Sequence, residues 1–233
     1  MRTGCGWIII PMSSKIYPTL ETETRIFERG NRFVIGIDEV GRGAIAGPVA
    51  VGLSLLDKLN PNLNSWPETL QDSKLMTPKS RSEIASSLSD WVTGHAVGYA
   101  SNSEIDNSGI SEALRMAASR ALEELLSDTS RKEIAEHGAV ILLDGSQNWL
   151  GSIAAGLEVE LLVKADTTCV SVAAAAVLAK VSRDSLMENL DKEYPEYGLA
   201  GHKGYASGAH ISALRTHGPS AIHRITWLTR ILA

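Results

Sequence analysis

Residues 34–43 read VIGIDEVGRG. The apolar run Val34-Ile35-Gly36-Ile37 reads as part of a strand over 33–38. It ends in two adjacent carboxylates, Asp38 and Glu39, and Gly41-Arg42-Gly43 follow at once. A regular strand sends successive side chains to opposite faces. Two neighbouring acids here therefore imply that the strand stops and the turn lets both face one pocket.

The pattern repeats downstream. Residues 138–145, GAVILLDG, end a second apolar run at Asp144, and residues 160–166, ELLVKAD, end a third at Asp166. Residues 47–56 form another uncharged strand, and residues 91–100 return to strand-like composition. Between them lies a polar loop, 57–82, in which Thr77-Pro78 predicts the start of a helix through 79–89. Ile110, Leu114, Ala117, Ala118, Ala121, Leu122 and Leu125 form one helical stripe. Residues 170–190 form a long helix of small residues suited to close packing on a sheet, and a short helix is expected over 208–217. Strands first, then alternating helices and strands, imply an α/β sheet of mixed direction.

The bulk composition sets limits. The chain has 233 residues, 44% hydrophobic and 21% charged, in keeping with one domain. No apolar run reaches the ~18 residues of a membrane helix. Two cysteines, Cys5 and Cys169, with no CxxC, fit a reducing, cytoplasmic setting and exclude a thiolate zinc site. A net charge of −5 argues against a uniformly basic nucleic-acid binder but leaves room for a local basic face. Lys164, Lys180, Arg183 and Lys203 are its candidates. Residues 1–31 read as an extension, poorly ordered or packed, without a secretory signal, 32–227 as the catalytic domain, and 228–233 as a tail.

An acid at a strand end is commonly a turn former or helix cap. Three such ends are less easily explained that way. If the strands are neighbours, four carboxylates converge, and they do not stay ionised together without cations. Oxygen-only ligands favour Mg²⁺ or Mn²⁺, and two such ions clamp both oxygens of a phosphoryl transfer. Asp184 is set aside. It lies fourteen residues beyond Val170, roughly 21 Å along a helix, and Lys180, one turn earlier, suits it as an ion-pair partner. His202, His210, His217 and His223 lack an acid or cysteine at zinc-ligand spacing.

Taken in order, GIDEVGRGAIAGPVAV, DSK at 72–74, LLDG at 142–145, KAD at 164–166 with SVAAAAVLAKVSRD after it, HKGYAS at 202–207 and GPSAIHR at 218–224 resemble ribonuclease HII. The likeness covers about residues 32–227. It implies a ribonuclease H-like fold: a five-stranded mixed sheet flanked by helices, with a small C-terminal helical portion. It also implies an endoribonuclease that cuts RNA in RNA–DNA hybrids and incises at single ribonucleotides in duplex DNA, leaving 3′-hydroxyl and 5′-phosphate ends. Asp38, Glu39, Asp144 and Asp166 become ligands of Mg²⁺ or Mn²⁺, two ions per site. Gly41, Arg42 and Gly43 would read the ribose through backbone groups, Tyr205 would meet the 2′-hydroxyl, and Lys74 would approach a DNA phosphate. The implied partner is nucleic acid alone: a monomer, with no membrane and no sliding clamp, since ITWLTRILA lacks the glutamine and paired aromatics of a clamp peptide.

Blander readings stand beside these. Gly41 and Gly43 also fit a plain tight turn, Arg42 a solvated charge, and Tyr205 a cover for the core edge. Val40 stands where alanine is common, DSKLM lacks a second lysine, and Ser207 replaces a usual threonine. Two other functions compete. A ribonuclease HIII-like relative is disfavoured by GRG in place of a GKG-like motif, and a catalytically dead binding module by the four intact acids.

Overall fold

The computed structural model describes residues 17–154, 156–229 and 231; the readings on residues 1–16 lie outside them. In chain order the elements are α1 (Glu21–Glu28), β1 (Phe33–Val40), β2 (Val49–Asp57), α2 (Pro78–Trp91), β3 (Gly94–Ala100), α3 (Asn102–Ser108), α4 (Ile110–Leu125), α5 (Asp128–His137), β4 (Ala139–Asp144), β5 (Glu158–Leu162), α6 (Ala165–Thr168), α7 (Val170–Glu193), α8 (Leu199–His202), α9 (Gly208–His217) and α10 (Ile225–Leu228). Thr77 caps α2 through its side chain, with Pro78 in the first turn, as the sequence predicts.

The five strands form one mixed sheet in the order β3-β2-β1-β4-β5. β1 is antiparallel to β2 and parallel to β4; β2 is antiparallel to β3, and β4 parallel to β5. Burial on both faces explains the uncharged strands. On one face Ile35, Ile37, Leu53 and Ile141 pack with Leu114, Ala117 and Ala121 of α4. On the other, Val34, Val140 and Leu142 pack with Val170, Val172, Ala173 and Val177 of α7. Two glycines bring α7 close. A Cβ on Gly36 would fall 2.3 Å from the Ser171 carbonyl carbon, and one on Gly52 2.4 Å from the Ala175 oxygen. Larger residues there would push the helix off the sheet.

Of the two readings of the N-terminal extension, the packed one holds from Thr19 onward. Leu20, Ile26 and Phe27 are buried, and Thr19 exchanges backbone hydrogen bonds with Thr168 and Val170. Leu228, expected in the tail, is buried in a C-terminal cluster with Ile45, Met187, Tyr197, Leu199 and Leu214. That cluster seats the small helical portion against the β1–β2 turn and the far half of α7. Among the described residues, no helix is long and apolar enough to cross a membrane.

Candidate active site

The site lies at the C-terminal ends of β1 and β4. Their parallel register pairs Ile37 with Leu143, so the next residues, Asp38 and Asp144, stand level on neighbouring strands. Both continue the face that carries Val34, Val140 and Leu142 under α7. Asp166 joins them from α6, the single turn leading into α7. Glu39 is different. β1 does not stop at Asp38; its pairing with β2 stays regular through Val40 and Ala50. Alternation therefore sends Glu39 to the α4 face, after Ile35 and Ile37. The two carboxylates leave an unbroken strand on opposite faces at the end of the sheet, yet lie close enough for the charge of Glu39 to act on Asp38.

Asp166 also departs from expectation. β5 ends at Leu162, and the chain turns at Lys164, which has φ +61°, before Asp166 begins the short helix. A carboxylate of the site fixes this turn: the Ala165 N–H donates to Asp144 Oδ1 at 2.7 Å.

Electrostatics tie the four acids together. Asp38 is 5% exposed, and burial, then the charges of Glu39, Asp144 and Asp166, push its carboxyl well above the usual range. Burial likewise raises Glu39, against a bond from Arg42. Burial raises Asp144, where the Ala165 bond opposes and Asp166 adds to the shift. Two side chains supply positive charge. Lys74 Nζ lies 2.7 Å from Asp166 Oδ2, and Arg42 donates to Glu39 Oε1 at 3.2 Å. Burial would lower the Lys74 ammonium, but Asp166, Asp38 and Asp72 hold it above its ordinary value. Lys74 thus sits on a carboxylate of the site, where a free cation would also be drawn. Among the described residues, no three such side chains already converge as a finished metal site. The donor set is nonetheless all oxygen, crowded and short of positive charge, which fits hard divalent ions.

Beside the acids, two fully buried arginines organise the loops. Arg224 donates to the carbonyls of Gly41 at 2.8 Å, Arg42 at 2.9 Å and Gly47 at 3.1 Å. In a trans peptide the N–H points opposite to the carbonyl, so the Arg42 and Gly43 N–H groups face away from Arg224, on an exposed loop. Gly41, at φ +82°, lies so close that a Cβ would fall 2.1 Å from Arg183 Nε. Arg183 in turn donates to Pro48 at 2.8 Å and Lys203 at 2.9 Å. The Gly204 carbonyl accepts from the Ile45 N–H at 2.8 Å. These bonds bring Tyr205, 38% exposed, beside the Gly41–Gly43 loop, its ring 5.8 Å from the Arg183 guanidinium.

The proposed basic face is largely used up inside the fold. Arg183 is fully buried, Lys180 pairs with Asp184 as predicted, and Lys203 pairs with Glu188. The sequence reading put Arg183 on a basic surface and gave Arg224 no role of its own, whereas both are fully buried and hold the loops. One signal was available: Arg183 continues the stripe Val172, Ala176 and Ala179 on α7, all fully buried.

A mixed sheet in this order, with acids at the ends of its two central parallel strands, defines the ribonuclease H-like class of nucleases. Within that class, a family model described as Ribonuclease HII matches residues 35–230. The chain is 43% identical over 198 residues to ribonuclease HII of Streptomyces avermitilis, an alignment covering 85% of this chain and 78% of that protein. Its fold resembles ribonuclease H2 of Pyrococcus horikoshii, with TM-score 0.67 and 29% identity over 86% of this chain and 97% of that one. It also resembles, in fold, a PCNA:RNase HII complex from Archaeoglobus fulgidus, with TM-score 0.66 and 21% identity over the same shares. The chain belongs to the ribonuclease HII family and is a ribonuclease H. The Archaeoglobus fulgidus structure is itself a complex with PCNA, so the expected exclusion of a sliding clamp is not supported.

Proposed function

We propose that this enzyme hydrolyses RNA within RNA–DNA hybrids and incises on the 5′ side of single ribonucleotides in duplex DNA, leaving 3′-hydroxyl and 5′-phosphate ends. That activity serves the removal of misincorporated ribonucleotides and of replication primers. The observation that carries the reading is the union of two devices: four mutually repelling carboxylates, and a backbone loop beside them whose N–H groups are turned outward next to a tyrosine.

Asp38, Glu39, Asp144 and Asp166 would hold Mg²⁺ or Mn²⁺, two ions in our reading. Such ions supply Lewis acidity and a water deprotonated near neutral pH. The rest falls to the protein. The Arg42 and Gly43 N–H groups present donors to the ribose, and glycine lets the backbone approach. The Tyr205 hydroxyl meets the 2′-hydroxyl, which alone separates a ribonucleotide from its deoxy counterpart. A deoxyribose would leave these groups unpaired, a strong ground for rejection. Lys74 is poised to leave Asp166 when other positive charge arrives and to move onto a phosphate.

The test is cleavage of labelled RNA–DNA hybrid with Mg²⁺, with Mn²⁺ and with chelator. The expected result is metal-dependent cuts bearing 3′-hydroxyl ends, with all-DNA duplex untouched. Cutting in chelator, or 3′-phosphate ends, contradicts the reading.

A further inference from the structure

The four C-terminal histidines raise a question that the catalytic reading leaves open. Two of them, His210 on α9 and His223 in the following loop, are essentially unexposed, and their Nε2 atoms lie 3.1 Å apart. Hydrogen-bond bookkeeping fixes their protons. The Ser220 N–H donates to His223 Nδ1 at 3.0 Å, so neutral His223 carries its proton on Nε2. That proton goes to His210 Nε2, which leaves the His210 proton on Nδ1. His210 Nδ1 lies 2.9 Å from the Tyr205 carbonyl and donates to it. The chain runs Ser220, His223, His210, Tyr205, and every member has its partner.

We propose that His210 and His223 form a neutral hydrogen-bonded relay that positions Tyr205 and thereby sets how strictly the enzyme demands a 2′-hydroxyl. They are positioning residues and do not touch the substrate. The proposal rests on the reading of Tyr205 given above.

The surroundings support it. The Tyr205 carbonyl also accepts from the Ser207 N–H at 2.8 Å, and the Ser207 hydroxyl caps α9 at the His210 N–H. His202 stacks on His210, ring centres 4.3 Å apart, and its Nδ1 accepts from the Gly204 N–H at 3.3 Å. The loop carrying Tyr205 is thus gripped from both ends by imidazoles. A second proton on His210 would set two Nε2–H groups against each other, and His223 could move its own proton to Nδ1 only by giving up the Ser220 N–H for the Ser220 hydroxyl, 3.1 Å away. The titratable or charged groups around the pair are His202 and Tyr197 by ring contact, His217 against the Tyr197 ring, Glu196 by its charge on His223, and the adjoining Arg224. Burial holds both rings neutral, His210 down to about 4.

Two measurements test this. The first is long-range ¹H–¹⁵N NMR of the free protein through a pH titration, which needs no substrate. It should show His210 protonated on Nδ1, His223 on Nε2, and neither titrating near its ordinary value of about 6.5. The opposite tautomers, or an ordinary titration of either ring, overturn the relay. The second compares kcat/KM for duplex DNA carrying one ribonucleotide with that for an RNA–DNA hybrid. His210→Ala should lower this ratio roughly tenfold or more, as misplacement of a contacting group does. His210→Asn, which keeps an N–H near the Nδ1 position, should restore most of it. Adding Tyr205→Ala to His210→Ala should bring no further drop. If Tyr205→Ala alone lowers the ratio and folded His210→Ala does not, the positioning role falls and the Tyr205 reading stands. If Tyr205→Ala leaves the ratio unchanged, the Tyr205 reading itself fails and takes the positioning role with it.

Discussion

Asp38 is buried beside three other carboxylates, and that placement has a cost without cations. Because burial and like charge raise its folded pKa, its ionisation opposes folding at neutral pH. Asp38→Asn should therefore melt higher than wild type in chelator, by roughly 1 kcal/mol, while losing at least about a hundredfold in turnover. A melt below wild type would show that the carboxylate is structurally needed. The pH dependence follows with its sign. Asp38, Glu39 and Asp144 are all raised, so protons compete with metal above the ordinary carboxylate range. The acid limb of activity should lie above that range and move to lower pH as Mg²⁺ is increased; a limb indifferent to metal concentration contradicts this. His210 has the opposite sense. Its folded value is lowered to about 4, so the stability it contributes is complete above about 6.5 and is lost as pH falls toward 4.

At the scale of elements, the strand-end acids were legible because burial on both faces makes a charge at the end of an apolar run conspicuous. Their directions were not. Regular pairing of β1 with β2 runs past the end of β4, so Glu39 obeys alternation, and Asp166 belongs to a turn of helix set by Lys164 in a left-handed conformation. The buried arginines were hidden for a related reason. Charge in a sequence reads as surface, whereas here the partners are backbone carbonyls of distant turns, which no local spacing announces. α1 is a further case. Its Glu23, fully buried, accepts from the Ser171 N–H at 2.8 Å and the Ser171 hydroxyl at 2.7 Å at the start of α7. α7 starts just after the turn carrying Asp166, so α1 braces that side of the site. Glu23→Ala should cost about 1–3 kcal/mol by leaving those donors unpaired, and a denaturant melt with unchanged midpoint would rule the brace out.

Over the whole molecule, the order β3-β2-β1-β4-β5 brings residues separated by more than a hundred positions to one end of the sheet. Mixed strand direction was readable from the order of strands and helices; the register that sets Asp38 level with Asp144 was not, since it depends on pairing. Divalent metal should stabilise the folded chain as any ligand of the native state does, by about 2.7 kcal/mol at a hundredfold excess over Kd. That gain should vanish in Asp38→Asn. Calcium or magnesium raising both melts equally would place the ions elsewhere.

The central claim is that one end of this sheet both holds the metal and inspects the sugar. Its most direct measurement is nicking of duplex DNA with a single embedded ribonucleotide, in Mg²⁺ or Mn²⁺, beside the identical all-DNA duplex. The account predicts one cut 5′ of the ribonucleotide with a 3′-hydroxyl end, none in all-DNA duplex, and none with Asp38→Asn. Equal cutting of both duplexes, or cutting that survives Asp38→Asn, would contradict it.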